Sequence, residues 1–157
     1  MYEPIRTKSV HTMAAAPEIP HRSREQELDI RLAGQLTALL TVTDELHALA
    51  TRTDGGADQE AGPGAGPDAA LDGAALASAA ERIAEQVARL SGGHYPLRAE
   101  PTDGGAPAHV EALQQRAHTL AGNALAVATT RADAAVMELA RERMAAHAAP
   151  RRDLATA

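Results

Sequence analysis

The stretch LDIRLAGQLTALLTVTDELHALA, residues 28–50, has a leucine or valine at nearly every third or fourth position. Residues at these steps share one side of an α-helix, so the stretch predicts a helix that buries this side against a neighbour. Ser23 and Gln26 stand before it at the spacing of a capping box, in which each side chain accepts from the other residue's backbone N–H. Gly55 and Gly56 follow it and predict its end.

A second apolar stripe, LASAAERIAEQVARL, covers residues 76–90. Asp68 or Asp72 can cap the start of this helix, and the pair Gly92-Gly93 predicts its end. The spacing of the larger side chains is typical of a helix that packs along another helix. The members of this seam are Leu76, Ala80, Ile83, Val87 and Leu90.

The third stripe, residues 110–144, predicts a helix from Pro107 to about residue 149. Proline suits the first helical position, since its missing N–H would have no partner there. The stripe rotates by about one residue, roughly 100°, along this length. Gly122 and Asn123 lie where the rotation begins, so we expect a kink there, or two helices meeting with almost no loop. The fold predicted is therefore all-α: an antiparallel three-helix bundle, or four helices if the third is split.

The segments outside the stripes divide the chain further. Residues 1–22 contain three prolines and no apolar period, and we interpret them as a flexible arm. Residues 54–68, DGGADQEAGPGAGPD, are acidic and rich in glycine and proline, a composition that predicts a disordered linker. The helical domain would then cover residues 23–149, with a short tail at 150–157.

Composition excludes several classes of function. The net charge of −6 argues against nucleic-acid binding, which requires clustered lysine and arginine. Cysteine is absent, which rules out disulfides and thiolate chemistry, and no apolar run is long enough to span a membrane. Because residues 1–20 lack the apolar core of a signal peptide, we expect a cytoplasmic protein. Lys8 is the only lysine, and this arginine and alanine bias indicates a high-GC bacterial source.

The sequence offers little to catalysis, and we expect no enzyme and no cofactor. None of the four serines lies in a Gly-x-Ser-x-Gly motif, and the glycine-rich linker lacks Gly-Lys-Ser/Thr. The histidines have none of the spacings of a helical metal site, so we also expect no bound metal. His47 and His118 lie at the edges of apolar stripes, and a small-ligand or metal site that uses both is the alternative hypothesis.

The length of the third helix suggests how the protein acts. Its second half extends past the predicted second helix, which would leave Val136, Leu139 and Met144 uncovered in a monomer. Arg141 and Arg143 flank this face and could pair with carboxylates of a second subunit. We therefore expect a non-catalytic protein that acts through protein–protein contact, as a homodimer or with another protein, with regulation as one such role.

Overall fold

The computed structural model describes residues 21–55, 71–102 and 107–148. Within these ranges the chain forms four α-helices and no strand, which confirms the all-α prediction. The predicted arm up to residue 20, the linker from residue 56 and the tail from residue 150 lie outside the described residues. The helices are α1 (Arg24–Gly55), α2 (Gly73–Leu90), α3 (Pro107–Arg131) and α4 (Ala134–Ala146).

The capping residues fix where the first two helices begin. The backbone N–H of Ser23 donates to Gln26 Oε1 at 2.9 Å, and the Gln26 N–H donates to Ser23 Oγ at 3.2 Å. These reciprocal bonds form the predicted capping box. At α2 the cap is Asp72, whose side chain accepts from the backbone N–H groups of Ala74 and Ala75. Each cap supplies acceptors to N–H groups that have no partner inside the helix.

Two glycines end α2, as their position predicts. The N–H of Gly93 donates to the carbonyl of Ala88 at 2.7 Å, which is the long bond of a Schellman motif. Gly92 and Gly93 have φ values of 69° and 92°, and only glycine adopts this left-handed region without steric strain. The chain therefore turns sharply away from the helix axis at this point.

The third predicted helix is split, and the predicted position of the break is wrong. Gly122 and Asn123 lie within α3, and the chain turns about ten residues later, at Ala132 and Asp133. Ala132 has a φ of 60°, and the Asp133 N–H donates to the carbonyl of Ala128 at 2.9 Å. This is the same type of helix end as at Gly92, with alanine in the left-handed position. Asp133 then caps α4 by accepting from the N–H of Val136.

The helices form a bundle in which α1 packs against α2 and α3, and α4 packs against α3. Arg131 at the end of α3 donates to Asp29 near the start of α1 at 2.7 Å. Arg89 at the end of α2 donates to Asp133 at the start of α4 at 2.6 Å. Hence α2 and α3 end at the same end of the bundle and run parallel. The chain between them has to return along the bundle, and we call its described part, residues 91–102, the crossover segment.

The core combines large side chains of α1 with small ones of α3. Along α3 alanine recurs at the buried positions, and this lets the helix backbones approach closely while the leucines of α1 fill the space. No helix within the described ranges has the length and hydropathy that a membrane crossing requires. The hydrophobic residues of these two helices that have no exposed surface are Leu32, Leu36, Leu39, Leu46, Ala117, Ala121, Ala124 and Ala128.

Candidate interaction surface

The crossover segment is held on the bundle by Arg98. Its guanidinium donates from Nε to Asp44 Oδ2 at 2.9 Å and from Nη2 to Asp44 Oδ1, and a third N–H donates to Glu81 Oε1 at 2.6 Å. These hydrogen bonds, those with Asp44 foremost, raise the pKa of Arg98 above its already high usual value. One side chain thus fastens the segment to both α1 and α2.

Thr102 forms a second anchor, close to the end of α1. Its backbone N–H donates to Glu45 Oε1 at 2.9 Å and its hydroxyl donates to Glu45 Oε2 at 3.1 Å. Its carbonyl accepts from Arg52 Nη2 at 2.8 Å. The segment is therefore fixed at two points four residues apart, by ion pairs and hydrogen bonds that involve three charged side chains of α1.

Between α2 and these anchors the segment presents two apolar side chains to solvent. Leu97 is 98% exposed and Tyr95 is 66% exposed. Ile30, on α1, is the third large hydrophobic residue that the described chain exposes. A single exposed leucine needs no functional explanation. Two large apolar residues in three positions, on a segment that is anchored instead of loose, have the character of a docking site.

His47, one member of the predicted histidine pair, lies beside this segment. It lines an open groove with Asp44 and Ala48 of α1 and residues 98–101 of the crossover segment. The groove is shallow, and its polar groups include the carboxylate that already holds Arg98. His47 therefore belongs to the edge of the surface that carries Leu97.

His118, the other member, lies in a different place, between α3 and the last turn of α4. Its ring Nδ1 lies 3.0 Å from the carbonyl oxygen of Met144 and donates to it. One turn earlier on α3, Gln114 Oε1 accepts a hydrogen bond from Nδ1 of His147. These two bonds fasten the C-terminal turn of α4 to α3, and the two predicted histidines contact different elements.

His147 and Arg143 form the electrostatically unusual part of this cluster. Both are nearly fully buried, at 4% and 7% exposure, and His147 Nε2 and Arg143 Nε have no hydrogen-bond partner within the described chain. Burial, and then the charges of Arg143 and His118, lower the pKa of His147 to about 4. His147 is therefore neutral at neutral pH. The sequence contained a signal for its burial, because His147 continues the α4 stripe one turn after Arg143.

The predicted interface on the third helix is not an exposed face. Val136 is 0% and Leu139 is 3% exposed, since the turn at residue 132 folds α4 back onto the bundle. Met144 is partly buried, and its side chain lies next to Gly122 of α3. Arg143 is buried and donates to Glu142, while Arg141 remains exposed. The expectation that these apolar residues lie uncovered in a single chain is wrong.

The described residues contain no group of three or more histidine, aspartate or glutamate side chains arranged to hold a metal ion. The polar cluster at Arg98 joins the crossover segment to α1 and α2, and the cluster at His147 joins the end of α4 to α3. Comparison with protein-family models, with curated proteins and with solved structures finds no match for this chain.

Proposed function

We propose that the protein is a non-catalytic binding module that contacts another protein through the crossover segment, with Tyr95 and Leu97 as the anchoring side chains. The observation that carries the proposal is the exposure of these two residues on a segment that Arg98 and Thr102 fix to the bundle.

The energetics of binding favour such an arrangement. Full burial of a leucine contributes about 1.5–3 kcal/mol, and a tyrosine buries a large area while keeping a hydroxyl for a hydrogen bond. A loose segment would lose much of this gain in becoming ordered, whereas an anchored segment has little order left to acquire. Interfaces commonly depend on a few such anchors.

The other functions considered from the sequence have less support. His47 and His118 contact different elements, and within the described residues neither belongs to a group of side chains that could hold a metal ion. The physical argument for a homodimer through α4 does not hold, because Val136 and Leu139 are buried within a single chain. Self-association through the crossover segment is an outcome that the experiment below distinguishes, and the cytoplasmic location stays a prediction.

The test begins with a photo-reactive benzoylphenylalanine in place of Leu97, irradiated in the cells that make the protein, and mass spectrometry of the cross-linked product. The product is then purified and its affinity measured for wild type, Leu97→Ser and the matched control Ile30→Ser. We expect Leu97→Ser to weaken binding at least tenfold, the equivalent of about 1.4 kcal/mol, and Ile30→Ser to leave it unchanged.

Two outcomes would contradict the proposal. If the purified partner binds Leu97→Ser as tightly as wild type, the crossover segment is not the docking site. If the only cross-linked product is a second copy of this chain, the protein self-associates through this segment and the partner is not a different protein.

A further inference from the structure

The surroundings of Leu97 carry a marked excess of negative charge. Arg98, which follows it, is paired with two carboxylates, Asp44 and Glu81. Glu85 is exposed one helical turn after Glu81, on the same side of α2. Glu100 is exposed on the crossover segment itself.

Few cations offset these carboxylates. Besides Arg98, Arg52 lies at this surface, where it donates to the Thr102 carbonyl. The two arginines of α2 are directed away from this surface: Arg82 pairs with Glu142 and Arg89 with Asp133, both on the α4 side of the bundle. With Glu45 included, the crossover segment and the adjacent surfaces of α1 and α2 carry five carboxylates and two guanidinium groups, a net formal charge of −3.

We infer that the partner presents an apolar patch rimmed by arginine or lysine side chains, against which Leu97 and Tyr95 pack. This inference rests on the proposed function and specifies its partner. An apolar centre with a charged rim is the usual anatomy of a protein interface. The rim charges set the choice of partner and the association rate more than the affinity.

The same charge distribution disfavours two other occupants. A nucleic acid would bring phosphates against the carboxylates at the rim. A second copy of the chain, docked symmetrically through this segment, would oppose two surfaces of the same sign. With a basic protein surface, both the burial of the apolar side chains and the attraction of the surrounding carboxylates favour binding.

The test uses a random dodecapeptide library displayed on phage, selected against the immobilised wild-type protein at low salt. We expect the selected peptides to combine an aromatic or aliphatic residue with several arginines or lysines. Synthetic copies should bind Leu97→Ser weakly and the control Ile30→Ser normally. Glu100→Lys should weaken binding about fivefold, the scale of a surface ion pair, whereas Glu27→Lys, near the opposite end of α1, should not.

The outcomes separate the two proposals. Selected peptides that are neutral or acidic, but still depend on Leu97, would overturn the basic partner and leave the docking segment in place. Peptides that bind wild type and Leu97→Ser equally, or a selection that enriches no peptide, would overturn the docking segment and with it the proposed function.

Discussion

Arg98 and Asp44, 54 positions apart in the chain, form a bidentate ion pair in which Arg98 Nε lies 2.9 Å from Asp44 Oδ2. The planar guanidinium matches the carboxylate edge, and a third N–H reaches Glu81. The position of the crossover segment, and with it the direction in which Leu97 faces, depends on this geometry as well as on the charge.

The first prediction follows from that geometry. Arg98→Lys keeps the charge but cannot reproduce the two parallel hydrogen bonds. We expect faster amide hydrogen exchange in residues 94–102, with unchanged helix content by circular dichroism. Global stability should fall by no more than about 1 kcal/mol, because the pair lies near the surface. Arg82→Lys, in the exposed pair with Glu142, is the control, and equal exchange in wild type and Arg98→Lys would show that the pair does not order the segment.

The second prediction concerns the turn between α3 and α4. Ala132 has a φ of 60°, which costs a residue with a Cβ roughly 1–2 kcal/mol. Ala132→Gly should therefore raise the free energy of unfolding by about 1 kcal/mol in a urea titration. Ala126→Gly, at an exposed position inside α3, should lower it by about 1 kcal/mol. If both variants are destabilised alike, α3 continues through residue 132.

These residues also indicate why the break was misplaced from the sequence. Glycine is the usual residue at a left-handed helix end, so the break was predicted at Gly122 and not at Ala132. Yet the residue after the turn, Asp133, is a good N-cap, and the stripe does change direction between α3 and α4. The caps, apolar stripes and ends of α1 and α2 are local properties, and the sequence predicted them correctly.

The candidate surface could not be predicted in the same way. Arg98 joins Asp44 and Glu81 only because α2 and α3 run parallel and the chain must return between them. That direction depends on contacts between distant parts of the chain, which the local spacing of residues does not show. The burial of Val136 depends on where α3 ends, since a helix that turns at residue 132 folds back onto the bundle, whereas an uninterrupted helix would extend past it.

The third prediction replaces the expectation of a dimer through α4. Val136 is fully buried, so Val136→Ala should lower the free energy of unfolding by about 2 kcal/mol through the lost contacts and the cavity left behind. Val136→Glu should prevent folding, seen as loss of helix content by circular dichroism. Ala135→Ser, at the exposed neighbouring position, should change little. If Val136→Glu keeps its helices but changes the protein from dimer to monomer, the interface predicted from the sequence would be correct.

The fourth prediction concerns metals. His47 lines a groove with Asp44 and the crossover segment, and His118 donates to a carbonyl of α4. Within the described residues neither belongs to a group of three or more side chains that could hold a metal ion. We expect the purified, untagged protein to contain no stoichiometric transition metal in elemental analysis. His47→Ala and His118→Ala should leave that analysis unchanged. One zinc, nickel or iron ion per chain, lost in either variant, would establish the ligand-binding alternative.

The last prediction is the dependence of stability on pH. The pKa of His147 is lowered to about 4 in the folded protein, from 6.5 for an ordinary histidine, chiefly by burial. Between these values the unfolded chain binds a proton that the folded chain does not. The free energy of unfolding therefore has its full value above about pH 6.5. It falls towards pH 4, by at most about 1.4 kcal/mol per pH unit.

Other groups titrate near the lower end of this range, and a variant separates them. Hydrogen bonds from Arg82, opposed by partial burial, lower the pKa of Glu142, whose stabilising effect is lost as pH falls below the ordinary range of a glutamate. We therefore compare urea unfolding of wild type and His147→Gln at pH 7.5 and 5, with the exposed His109→Gln as control. Wild type should lose up to about 2 kcal/mol more than His147→Gln over this interval, and His109→Gln should follow wild type. Equal losses in all three proteins would mean that His147 takes up its proton in the folded state, and hence that the last turn of α4 opens readily to water.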